Sequence, residues 1–239
     1  MRAHLAAIRW QLRLRRTRRF AAQADGQQID LRRTMRRSLR HGGEPLQLAR
    51  SQRKHKPRPL VVLCDVSGSM ERYSRVLLQF LYVVANRLAS VEAFAFSTRL
   101  SRLTRQLRSS TVDAALDLAV LAVNDWGSGT RIGAALQAFN TEWSRRMLGR
   151  GAIVLIVSDG WDRGDVALLA QEMAQLRRRA CYVIWLNPLL GDPDYAPLVR
   201  GMQAALPFVD RLLPVHNLVS LEQLAAALRK LTGWGRIAP

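Results

Sequence analysis

Apolar residues in this chain fall into short unbroken runs, separated by longer stretches in which they recur at helical spacing. Leu60-Val61-Val62-Leu63-Cys64, Ile153-Val154-Leu155-Ile156-Val157 and Cys181-Tyr182-Val183-Ile184-Trp185-Leu186 are of the first kind. Such runs, with β-branched members and no polar alternation, suit strands buried on both faces of a parallel sheet. VEAFAFS (91–97) reads as another strand, 100–107 as an edge strand protected by its arginines, and 209–215 as the last. Between them, 70–88, 112–123, 131–147, 166–178 and a final segment capped by Ser220 and running through Leu228 carry helical spacing. The alternation predicts an α/β fold: a doubly wound, mostly parallel, Rossmann-like sheet with helices on both faces.

Upstream of residue 59 the pattern changes. Arginine dominates 1–20, where Ile8, Trp10, Leu12 and Leu14 alternate as in a strand while the composition suits a helix equally well. Asp30 offers an N-cap for a short helix with Leu31, Met35 and Leu39 on one face and arginines around the rest, and His41-Gly42-Gly43 stops it. RSQRKHKPRP (50–59) is polar, basic and proline-bearing, and reads as a linker. The expected organisation is a basic, arginine-rich N-terminal extension over 1–58 and one folded domain over 59–239.

Candidate chemistry begins where the first buried run stops. Asp65, Ser67 and Ser69 alternate with Val66 and Gly68 at a strand-to-helix junction, the place where open α/β sheets bind ligands. Alone, the stretch reads equally well as a helix cap with a turn aspartate. Two distant segments weigh against that. Gly127-Ser128-Gly129-Thr130 puts a hydroxyl in a glycine-rich loop before a helical pattern, and Ile153–Val157 runs into Ser158-Asp159-Gly160.

Asp-x-Ser-x-Ser, then a threonine, then an aspartate, all at strand ends or helix starts, resembles the metal-ion-dependent adhesion site of von Willebrand factor A domains. LVVLCDVSGSM, GSGTRIG and VLIVSDGWDRGD, with the upstream DLRRTMRRSLRHGGEPLQLARSQRKHKPRPL, resemble more narrowly the CoxE-type proteins of that group. The resemblance implies a metal site of Asp65, Ser67, Ser69, Thr130 and Asp159, the hydroxyls ligating directly and the aspartates partly through water. It implies Mg2+, with Mn2+ or Ca2+ as alternatives, and an open position for a partner's carboxylate. It further implies a non-enzymatic adaptor that works with a MoxR-type AAA+ ATPase in chaperone-like maturation of a metalloenzyme such as carbon monoxide dehydrogenase. CoxE-type proteins usually carry a longer helical region upstream, so this chain is expected to begin late relative to them. Trp126 and Trp161, each beside a site loop, are expected to form a partner-binding rim, and Asp162 and Asp165 to be loop acids or helix-start residues.

Composition narrows the remaining classes. A net charge of +19 on 239 residues favours acidic partners. The arginine-rich segment is therefore read as an arm for an acidic protein surface, with phosphate contacts to nucleic acid as the alternative. No Gly-x-Ser-x-Gly elbow, dinucleotide fingerprint or Gly-Lys-Ser/Thr phosphate loop is present, which argues against an enzyme. Four scattered histidines and two cysteines in or beside buried strands make a zinc site improbable. The cysteines read as small core residues, no segment has the length and apolarity of a membrane span, and a cytoplasmic location is expected.

Overall fold

The structure, a computed structural model, describes residues 7, 8, 10–44, 47–108, 111–192 and 194–231. It divides into two compact units, Leu14–Pro57 and a larger one drawn from the chain on either side of it.

The smaller unit contains β1 (Arg15–Ala22), β2 (Gln28–Ile29), α1 (Leu31–Ser38) and β3 (Arg50–Lys56), with the strands in the order β1-β3-β2. Both pairings are antiparallel, Arg15 facing Lys56 and Ile29 facing Arg50. The segment read as a linker is thus the central strand of a sheet. Only Ser51 within the strand Arg50–Lys56 is buried, so the ladder is carried by main-chain hydrogen bonds and no side-chain period announces it. Asp30 caps α1 as expected, its Oδ1 accepting from the Arg33 N–H at 3.1 Å. The apolar face of that helix is not its buried one. Thr34 and Ser38 point inward, the Thr34 hydroxyl accepting from the Ala49 N–H at 3.0 Å, while Leu31, Met35 and Leu39 are exposed.

Gly26 closes the turn beside β3 so tightly that a Cβ there would lie 2.4 Å from the Ser51 carbonyl oxygen. Gly26→Ala must displace backbone, and we expect it to cost about 2 kcal/mol of this unit's stability. Amide hydrogen exchange should then accelerate across 15–56, with the larger unit's amides unaffected.

In the larger unit, β4 (Leu60–Asp65) is followed by α2 (Glu71–Arg87), β5 (Val91–Phe96), β6 (Leu100–Arg102), α3 (Thr104–Leu107) and α4 (Val112–Leu121). Next come α5 (Ile132–Ala138), a π-turn over Phe139–Trp143, α6 (Ser144–Met147), β7 (Ile153–Val157) and α7 (Val166–Arg179). Then β8 (Tyr182–Asn187), α8 (Arg200–Ala205), β9 (Arg211–Pro214) and α9 (Leu218–Lys230) complete it. The sheet order is β6-β5-β4-β7-β8-β9, parallel except for β6 at the edge.

This is the expected doubly wound arrangement, and it explains the unbroken apolar runs. Leu60, Val62, Ile153, Leu155 and Ile184 belong to a core with Leu77, Phe80 and Leu224. Their neighbours Val61, Leu63, Val154, Ile156 and Val183 belong to the opposite one, with Phe139, Leu169 and Met202. Trp10, upstream of the expected boundary at 58/59, is 6% exposed in the first core, its ring 5.4 Å from that of Phe80.

Three expected elements differ in detail. The edge strand stops at Arg102, because Leu103 and Leu107 turn inward and the chain becomes helical at Thr104. The helix expected over 131–147 is interrupted by the π-turn, which brings both Phe139 and Trp143 edge-on to Phe94. The last helix is capped by Asn217; Ser220 is the third residue of the helix and closes a reciprocal capping box. Among the described residues no helix is long and apolar enough to cross a membrane.

Candidate metal centre

Chain order leaves β4 outward to β5 and returns on the other side to β7, so β4 and β7 flank the point where the winding reverses. The crevice at their carboxyl ends is where such sheets bind ligands. Asp65 is the last residue of β4, and Ser158-Asp159 follows the last residue of β7. Asp65 is fully buried and Asp159 4% exposed.

The Asp65 carboxylate is held from two sides. Its Oδ1 accepts from the Ser67 N–H at 2.9 Å and its Oδ2 from the Ser158 hydroxyl at 2.7 Å. Ser158 is a site residue that the sequence reading passed over, although it stands directly before Asp159. Burial pushes the Asp65 carboxyl up to about 7; hydrogen bonds from Ser67 and Ser158 oppose the rise, and the charge of Asp159 adds to it. Among the described residues neither carboxylate has an ion-pair partner.

The hydroxyls complete the set. The Ser67 and Ser69 Oγ atoms lie 3.3 Å apart, and both residues line one cavity of 280 Å³ with Thr130 and Trp161. Two main-chain bonds fasten the contributing loops together, Gly127 N–H to Val66 carbonyl at 3.0 Å and Gly68 N–H to Ser128 carbonyl at 3.2 Å. The approach is close enough that a Cβ on Gly68 would meet the Gly127 carbonyl oxygen at 3.0 Å. Asp125, which the sequence reading assigned no role, anchors this loop by accepting from the Thr98 and Arg99 N–H groups at 2.6 and 2.9 Å.

The two tryptophans part company. Trp161 is 59% exposed at the cavity wall, whereas Trp126 is half-buried against the core and does not line the cavity. Asp165 caps α7 through the Ala167 N–H at 2.8 Å, and Asp162 accepts from the Ile132 N–H at 3.0 Å, closing the start of α5. Arg163, unmarked by the sequence reading, also lines the cavity. Its N–H donates to the Thr130 carbonyl at 3.0 Å, and its side chain runs beside Gly129.

Of the five expected site residues Ser67, Ser69 and Thr130 line the cavity, whereas Asp65 and Asp159 are buried and do not line it. Hydroxyls together with carboxylates that lack a basic partner suit a hard divalent cation that takes oxygen ligands and retains water. Among the described residues no cluster of three His, Cys, Asp or Glu exists.

The sheet order and the placement of the crevice are those of a von Willebrand factor A domain. The family model described as VWA domain containing CoxE-like protein matches residues 1–221, and the chain belongs to that family. Among solved structures, a von Willebrand factor type A protein from Catenulispora acidiphila aligns with a TM-score of 0.53 at 13% identity, over 74% of this chain and 43% of that one. A mussel byssus proximal thread matrix protein 1 with a zinc-occupied MIDAS motif aligns with a TM-score of 0.47 at 15% identity, over 72% and 47%. The chain therefore spans less than half of either neighbour. A comparison with curated proteins found no match.

Proposed function

We propose that this chain is a magnesium-dependent protein-interaction adaptor in which Asp65, Ser67, Ser69, Thr130 and Asp159 hold the ion, with Mn2+ or Ca2+ able to substitute. The observation that carries the reading is the pair of buried, uncompensated carboxylates beside an open, hydroxyl-lined cavity. A divalent ion supplies a full positive charge for a partner's carboxylate at short range. Trp161 offers that partner apolar contact at the rim, as an exposed aromatic does in many interfaces.

The likeness to CoxE-type proteins supports a finer reading: a cytoplasmic partnership with a MoxR-type AAA+ ATPase, acting without catalysis of its own in the maturation of a metalloenzyme such as carbon monoxide dehydrogenase. The domain from 59 onward would carry the ion site and the preceding arginine-rich segment would meet an acidic protein face. Affinity capture with magnesium and with chelator tests this. An ATPase recovered only with magnesium supports it; identical recovery in both sinks it.

Arg163 sharpens the reading. Among the described residues its guanidinium has no ion-pair partner, and it sits at the same cavity as the hydroxyls. A carboxylate held by the ion through one oxygen would be positioned to accept from arginine through the other. Arg163→Ala should weaken capture of the acidic partner about tenfold while leaving ion affinity equal or tighter, since it removes a charge that repels the cation. Manganese titration set beside the capture assay separates the two effects.

A further inference from the structure

The smaller unit contains a cavity of 490 Å³ between α1, the end of β1 and the start of β3. Arg33 and Arg37, one helical turn apart on α1, and Arg50, the first residue of β3, converge on it. Gln23 and Gln47, which carry amide groups, also line it, and Ala22, Ala24, Leu48 and Ala49 form the rest of the wall. We propose that this cavity is a binding site for a phosphorylated small molecule, the three arginines holding its phosphoryl group.

Charge selects the ligand. The Arg33 Nε lies 3.6 Å from the Asp30 Oδ2, so one of the three positive charges is partly matched within the unit. Arg50 spends one N–H on the Gly26 carbonyl at 3.4 Å and keeps the remainder of its fork. About two positive charges are left, which a terminal phosphoryl group, carrying roughly −1.5 to −2 at neutral pH, compensates. A single carboxylate or one phosphodiester link of nucleic acid supplies half of that. Planar guanidinium forks also match phosphoryl oxygens two at a time, and glutamine amides complete such a shell. The volume lies in the range of small-molecule pockets and exceeds what a phosphoryl group fills, so room remains for an organic portion.

The surroundings reinforce the anion preference. Between 14 and 57 the chain has 13 arginines and lysines against 3 aspartates and glutamates. Such a field draws anions toward the cavity mouth. Arg32 and Arg36 lie on the same helix but outside the cavity lining, and they provide an internal control of equal charge.

The test is calorimetric titration of the full chain with inorganic pyrophosphate and with ATP, in metal-free buffer at near-physiological salt. Saturable binding at one site per chain is expected. Arg33→Gln with Arg37→Gln should lower affinity at least about tenfold, and Arg32→Gln with Arg36→Gln by no more than about twofold. Equal losses in the two double variants, or no saturable binding below about 1 mM, overturn the proposal.

Arg37→Lys keeps the charge and removes the fork, so it guards against a folding artefact in the double variant. An unchanged affinity there also counts against the site. A single-stranded oligonucleotide is the competing arm: binding that pyrophosphate does not displace would assign the arginines to diffuse polymer contact and overturn the pocket. Asp65→Asn should bind pyrophosphate like the parent. Loss of metal-free pyrophosphate binding in that variant would place the anion outside this cavity and overturn the proposal.

Discussion

Asp65→Asn should abolish divalent-ion binding and at the same time stabilise the ion-free protein above neutral pH. The two effects have opposite signs because one buried carboxylate underlies both. In the ion-free fold its pKa stands at about 7 against an ordinary 3.8, so the folded state holds a proton that the unfolded chain has released. Stability from this group is fully present below about pH 4 and is lost as pH rises to about 7, a swing on the order of 4 kcal/mol. Asparagine mimics the neutral acid: its carbonyl still accepts from the Ser67 N–H, and its amide faces the Ser158 oxygen. The stability difference between variant and parent should therefore be near zero at pH 4, grow to pH 7, and stay level above it. Magnesium should raise the parent's melting temperature at pH 8 and leave the variant's unchanged. A variant that still gains stability from magnesium would remove Asp65 from the site.

Trp10→Ala is expected to cost the larger unit roughly 3 to 5 kcal/mol and to lower its melting temperature by about 10 °C. The indole is almost wholly buried and tilted against Phe80, a ring with no exposed surface, so truncation opens a void within the core beneath α2. Arg58 underlines how closely this strip of chain is held, its Nε donating to the Arg13 carbonyl at 3.2 Å. Trp10→Phe keeps an aromatic ring and should lose less than half as much. A loss below about 1 kcal/mol in the alanine variant, measured by thermal denaturation, would contradict a core role for Trp10.

What the sequence disclosed follows from where energy is local. β4, β7 and β8 are buried on both faces, so their residues are apolar without interruption and legible as strands. Asp65, Ser67, Ser69, Thr130 and Asp159 could be singled out as candidates because they stand at junctions between elements: the first three where β4 gives way to α2, Thr130 just before α5, and Asp159 just after β7. β3 was hidden for the opposite reason: a strand with a single buried residue has no hydrophobic pattern to show. The inward turn of Thr34 and Ser38 was equally hidden, since a threonine that satisfies the Ala49 amide looks like any polar surface residue until residue 49 is folded against it. Arg163 and Asp125 belong to the same class. Their roles depend on partners more than 25 residues away in sequence.

The two main-chain bonds between 66–68 and 127–128 have a consequence for how an ion would arrive. Loops already zipped to one another surrender little freedom when a cation settles between them, so capture would cost little ordering and could be fast and readily reversed. A socket of that kind suits a grip that must be made and broken repeatedly, with occupancy following the ambient ion level rather than a refolding step.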